Sequence, residues 1–230
     1  MKKSIAVLAC ALIFSGAAQA ASRTYDVESF DRVVVAAGID VQIHQGSTFK
    51  VEATTSAENF DDLEIARQGN QLRIDRPRRS WFMSWRRPKY EVRVTMPALR
   101  ALTASSGAEV DVRGAFRGDL VVKASSGSEI TVQNVEGGAV TAQASSGSDL
   151  EIAGRCTTLK AHASSGADLH ARGLRCETAE VRASSGSDVS LLVTQSVTGA
   201  ASSGSGINVR GRPAHVDVNR SSGAAVKVGT

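Results

Sequence analysis

The sequence has 230 residues, of which 42% are hydrophobic, 22% charged and only 4% aromatic, with a formal net charge of +4. This is enough apolar material for a core and too little charge for wholesale disorder. A core so poor in rings must be thin, repetitive or filled by small and branched side chains, which argues against the layered cores of dinucleotide-binding and α/β-barrel enzymes.

The chain opens as a secretion leader. Lys2 and Lys3 precede the apolar run from Ile5 to Phe14, and Ala18-Gln19-Ala20 supplies a small-residue cleavage site. The apolar run is too short for a membrane span. Cleavage after Ala20 is expected, placing residues 21–230 in the periplasm or outside the cell, an oxidising setting. Without the two lysines the net charge is +2. Six cations and no acid lie between Arg76 and Tyr90, so the rest of the mature chain carries −4.

Residues 21–100 read as consecutive short strands. Val33-Val34-Val35, Val41-Gln42-Ile43, Phe49 to Ala53, Leu63-Glu64-Ile65, Leu72-Arg73-Ile74 and Tyr90 to Val94 are separated by turn signals such as Gln45-Gly46-Ser47 and Gln68-Gly69-Asn70. Between the last two strands lies a basic aromatic segment containing Arg78, Arg79, Trp81, Phe82, Trp85, Arg86 and Arg87, bounded by Pro77 and Pro88. Cations interleaved with indoles suit anionic surfaces: lipid headgroups, lipopolysaccharide phosphates or acidic glycans. An equally consistent reading folds Trp81, Phe82 and Trp85 back onto the sheet. Nucleic acid is not an expected partner in that compartment.

From residue 101 to 230 the chain repeats. Ser-Ser-Gly recurs with its glycine at Gly107, Gly127, Gly147, Gly166, Gly186, Gly204 and Gly223, a period of 18–20 residues. Apolar residues alternate with a period of two on both sides of the tripeptide, as in Leu120/Val122/Ala124 before it and Ile130/Val132 after it. One such unit has no means of burying its apolar face alone, but stacked copies pair strand to strand at about 4.8 Å. The fold class predicted is all-β, a right-handed parallel β-helix of about seven coils, with residues 21–100 as its N-terminal cap and 21–230 as one continuous domain. Gly38-Ile39-Asp40-Val41 matches the later frame, so Gly38 marks a first, degenerate coil.

These features resemble the family of putative auto-transporter adhesins with a head GIN domain. The resemblance rests on Phe30 with Val33-Val34-Val35, on Gly38-Ile39-Asp40 (Asp where the motif's name has Asn) and on Val41 to Gly46. It also rests on Val92 to Leu99 and on serial units such as Ser146-Gly147-Ser148-Asp149. It implies an all-β exported envelope protein dominated by a β-helix. The chain ends inside its last coil, so no translocator barrel is expected in it, and the uncapped final coil is a candidate contact for homo-oligomers.

Three constellations bear on chemistry. Glu109, Glu129, Asp149, Asp168 and Asp188 recur two residues after the glycine and should stack into a carboxylate ladder. Such a row could hold a hard cation such as Ca²⁺, but the mixture of Glu and Asp without a loop of alternating Asp specifies no cage, and capping of corner N–H groups by Asp and Ser is the favoured reading. The paired serines form a second ladder, whose hydroxyls are expected to bond within the stack rather than to ice or glycans. Cys156 and Cys176 are 20 residues apart, one coil, each eight residues before the next Ser-Ser-Gly, and a disulfide between them is expected. His44, His162, His170 and His215 lack metal spacing, and there is no phosphate loop or nucleophile elbow. A non-enzymatic binding scaffold is therefore the leading expectation, with no cofactor, and a polysaccharide lyase or hydrolase is the alternative.

Overall fold

The structure, a computed structural model, describes residues 21–57, 59–77 and 88–229. The leader expected at residues 1–20 lies outside them. Among the described residues every regular element is a strand.

The repeat starts with β8 (Ala101–Ala104) and β9 (Glu109–Arg113). It continues through β10 (Leu120–Ser125), β11 (Glu129–Glu136), β12 (Ala139–Ser145), β13 (Asp149–Ser164), β14 (Asp168–Ala183) and β15 (Asp188–Ala201). It ends with β16 (Gly206–Arg210), β17 (His215–Arg220) and β18 (Ala225–Val228). Strands before each Ser-Ser-Gly corner stack in parallel on one face, and those after it stack in parallel on a second. β13, β14 and β15 are long because each runs from the second face across a third side to the first. The result is a β-solenoid in which the seven corners bound about six turns.

The period-two alternation becomes aliphatic ladders in the interior. Leu120, Val140, Leu159, Ala179 and Val197 are in register on the first face, and Val110, Ile130, Leu150, Leu169, Val189, Ile207 and Val226 on the second. Most are fully buried, and one apolar core extends from Phe30 to Val209. Burying such a side chain is worth roughly 1.5–3 kcal/mol. At the last coil the ladder opens to solvent, with Val216 and Val228 exposed.

The N-terminal section contains β1 (Ala21–Tyr25), β2 (Arg32–Val35), β3 (Asp40–Gln45), β4 (Lys50–Thr55), β5 (Glu64–Gln68), β6 (Gln71–Asp75) and β7 (Tyr90–Met96). Its strands do not stack in sequence order. The pair β2/β3 lies against β8/β9 and forms the first coil, as the match at Gly38 predicts. The later pair β6/β7 stacks on the opposite side of β2/β3 and forms the outermost coil. β4 pairs antiparallel with β7, β1 with β4, and β5 with β6, so the parallel stack ends in antiparallel ribbons. Larger side chains gather here: Phe30 packs on Phe49 at 4.9 Å between ring centroids, and Phe60 on Tyr90 at 6.1 Å.

Candidate functional site

Each corner is built from two consecutive residues in the left-handed region. Ser106/Gly107, Ser126/Gly127, Ser146/Gly147, Ser165/Gly166, Ser185/Gly186, Ser203/Gly204 and Ser222/Gly223 all have φ between 50 and 75°, and Ala37/Gly38 repeats the pair with 62 and 65°. Left-handed backbone costs a residue with a Cβ about 1–2 kcal/mol. An axial chain of hydrogen bonds offsets that cost: Gly38 N–H donates to Ser106 C=O at 3.0 Å, and the pattern continues without a gap to Gly204 N–H and Ser222 C=O, at 3.0–3.1 Å. The second serine of each pair is exposed, so these residues form a solvent-facing ridge.

The hydroxyls that hold the corner are not those of the Ser-Ser pair. They belong to the residue after the glycine, which is buried at Ser128, Ser148, Ser187 and Ser205. Ser125 N–H donates to Ser128 Oγ at 2.9 Å, and Ser128 Oγ donates onward to Ala104 C=O of the preceding coil at 3.0 Å. Ser187 and Ser205 repeat both bonds, and Ser148 the first. In the seven repeats this position is always Ser or Ala, the signal of a small buried site.

The carboxylate ladder exists and is longer than the sequence suggested. Glu109, Glu129, Asp149, Asp168 and Asp188 are in register, and Asp40 and Glu91 extend the row to the outermost coil. These five carboxylates do not cap the corner: none accepts a corner N–H, and the buried serines do that work instead. Nor do they converge, because among the described residues no three of His, Cys, Asp and Glu form a group suited to a metal ion. The row's charge adds to the effect of burial at Glu109. Its carboxyl is held above its ordinary range first by burial and then by the charges of Asp40, Glu129 and Asp111, with Lys89 opposing.

Cys156 and Cys176 are in register and bonded, with 4.6 Å between their Cα atoms.

The outermost coil departs from the corner pattern. Where β2 and β3 are joined by Ala36 to Ile39, the overlying β6 and β7 are joined by residues 76–89, an insertion at the corner itself. Arg78, Arg79, Trp81, Phe82, Trp85, Arg86 and Arg87 all lie outside the described residues, which border them at Pro77 and Pro88. Arg76 is buried and finishes the axial chain: its Nε donates to Ala37 C=O at 3.0 Å, the group that a further corner glycine would have met. Its Nη1 pairs with Asp62 Oδ2 at 2.5 Å, Nη2 donates to Pro88 C=O at 2.6 Å, and the guanidinium lies 4.9 Å from the centre of the Tyr90 ring. Arg76 thus ties the start of the segment to its end. In sequence it reads as one cation among six, and only the stacking order distinguishes it.

Comparison with known proteins follows this architecture. Residues 29–213 match the model of the family described as "Putative auto-transporter adhesin, head GIN domain". No curated protein matches the chain in sequence. The fold is similar to the crystal structure of a putative adhesin from Bacteroides fragilis, with a TM-score of 0.83 and 14% identity over 92% of this chain and 97% of that one. It is also similar to a putative adhesin from Parabacteroides merdae (TM-score 0.71, 14% identity, 94% and 98% covered) and to a putative lipid binding protein from Parabacteroides distasonis (0.68, 15%, 92% and 97%).

Proposed function

Since the chain belongs to the family of putative auto-transporter adhesins, head GIN domain, we propose that it is an exported, non-enzymatic binding protein of the bacterial envelope. In this reading a β-solenoid presents the basic aromatic segment at its capped end to an anionic surface of lipid headgroups or lipopolysaccharide. The observation that carries it is the anchoring of that segment. Arg76, Pro88 and Tyr90 hold the described residues on either side of the segment together at the corner of the outermost coil, at the end of the stack.

Burial removes Arg76 from the cations available to a ligand, leaving Arg78, Arg79, Arg86, Arg87 and the exposed Lys89. Near an anionic membrane each is worth roughly 1 kcal/mol, and Trp81, Phe82 and Trp85 add rings suited to the headgroup level. The family's own description names adhesion, which is the same class of role.

Replacing Trp81, Phe82 and Trp85 together by Ser is expected to lower retention on anionic vesicles and on lipopolysaccharide at least about tenfold, with the far-ultraviolet spectrum unchanged. Equal retention of parent and variant at low salt would overturn the reading, and loss of the β spectrum would show that the rings pack on the fold instead.

A further inference from the structure

A second surface feature lies far from the capped end, on the outer side of the second face. The carboxylate row stops at Asp188: the next two coils carry Gly206 and Ala225 in its place. In the adjacent outward row, His170, Ser190, Asn208 and Lys227 are in register, and Ser190 is the shortest of the four. Short side chains among longer ones leave a hollow of about 230 Å³, with Arg172 and His170 at one end and Lys227 at the other. Gly206 has no unusual backbone to explain it. A Cβ there would lie 2.1 Å from Asp188 Oδ1, so the glycine is what lets the Asp188 carboxylate lean over the hollow as its wall.

The polar groups around this hollow are unspent. Ser190 is only 5% exposed, and its Oγ, closed off from solvent beneath the hollow, has no hydrogen-bond partner among the described residues. A buried hydroxyl left unpaired is costly. In a solenoid whose other buried serines all bond to the backbone, it stands out. The side chains of Arg172, Asp188, Asn208 and Lys227 likewise make no hydrogen bond or ion pair within the described residues, and His170 has only a long approach of 3.9 Å to Asp149.

The donor set narrows the ligand. Two permanent cations at opposite ends of the hollow ask for an anionic group. The acceptor Asp188, with the two-way group Asn208, asks for neutral hydroxyls. A simple inorganic anion would meet Asp188 as a repulsive neighbour, and a neutral sugar would leave both cations unused. The volume is below the range usual for larger ligands, so it suits one ring. We propose that this hollow is a binding site for a single acidic sugar unit, such as a uronic acid residue of a glycan. The assignment rests on reading the chain as a surface-binding protein, but it concerns a different surface from the basic aromatic segment and has its own readout.

The test is titration of the intact mature protein with D-glucuronate, D-glucose and acetate, followed by calorimetry or ligand-observed NMR. Glucuronate is expected to bind at about millimolar Kd, with glucose and acetate each at least about tenfold weaker. Arg172 and Lys227 are at the surface, so the double variant Arg172→Ala/Lys227→Ala should fold as the parent and lose at least about tenfold in glucuronate affinity. Ser190→Val, which fills the hollow, should lose a similar factor. The variant lacking Trp81, Phe82 and Trp85 should bind glucuronate as the parent does, which separates this site from the capped end. No glucuronate binding at about 10 mM, equal binding of glucose or acetate, or full affinity in the double variant would each overturn the assignment.

Discussion

At Gly166 the backbone has φ +67°, and no heavy atom lies within 4 Å of where a Cβ would stand. At Gly154, φ is +136° and a Cβ would fall 2.2 Å from the carbonyl oxygen of Val135, one coil below. The first glycine meets a conformational demand alone, and the second a conformational and a spatial one together. Gly166→Ala is therefore expected to cost about 1 kcal/mol and to lower Tm by about 2–4 °C. Gly154→Ala must displace backbone and is expected to cost more than about 3 kcal/mol. Thermal denaturation of the two variants side by side checks the difference, and equal losses would contradict it. Glu109 makes a residue-scale prediction of opposite sign. Its carboxyl titrates above its usual value, so in the acid window just above pH 4.5 the folded state holds the proton more tightly than the unfolded chain. Stability contributed by that proton is present at low pH and is lost as pH rises through the folded-state value. Glu109→Gln should raise Tm at neutral pH by roughly 1–2 °C and flatten the decline of Tm over that window.

Between neighbouring elements the dominant fact is register. The disulfide joins equivalent positions of β13 and β14 and closes a loop of 20 residues. In the chain-entropy model such a closure stabilises by roughly 3 kcal/mol, so the double variant Cys156→Ala/Cys176→Ala is expected to melt roughly 6–12 °C lower than the oxidised parent. This pairing and the carboxylate row were legible in the sequence because a fixed repeat length converts spacing directly into neighbourhood. Of the N-terminal section, the strands and the coil begun at Gly38 were legible, but the order in which its strands stack was not. The inward residues of β2, β3, β6 and β7 alternate alike whichever coil lies above or below, so alternation does not reveal that β6/β7 stacks outside β2/β3. The Ser190 hollow was illegible for a related reason. It arises from small residues on three successive coils, Ser190, Gly206 and Ala225, none of them notable alone. The corner hydroxyls were misassigned because Ser-Ser-Gly is the conspicuous string, whereas the bonding serine is the residue after it.

For the whole molecule, a stack in which each coil touches only its neighbours makes stability close to a sum of coil and interface terms. Removing residues 128–147 deletes one period and joins Gly127 to Ser148, restoring the corner frame of the repeat. The shortened protein is expected to keep its β spectrum and to melt cooperatively at a somewhat lower temperature. Loss of folding would show that the coils are not interchangeable. The N-terminal ribbons are not interchangeable in this sense, since β1, β4 and β5 pair antiparallel and occur once.

The order β7–β3–β9–β11–β13–β14–β15 places six strand-to-strand steps between the coil that carries the basic aromatic segment and the coil that carries Ser190. At about 4.8 Å each, they hold the two coils roughly 29 Å apart. The solenoid is in this respect a ruler graduated in coils. Gain or loss of one period shifts the mark by a single graduation and alters neither end. A tandem duplication or excision in the coding sequence would therefore change the distance between the capped end and the Ser190 hollow in fixed increments, leaving the residues of both untouched.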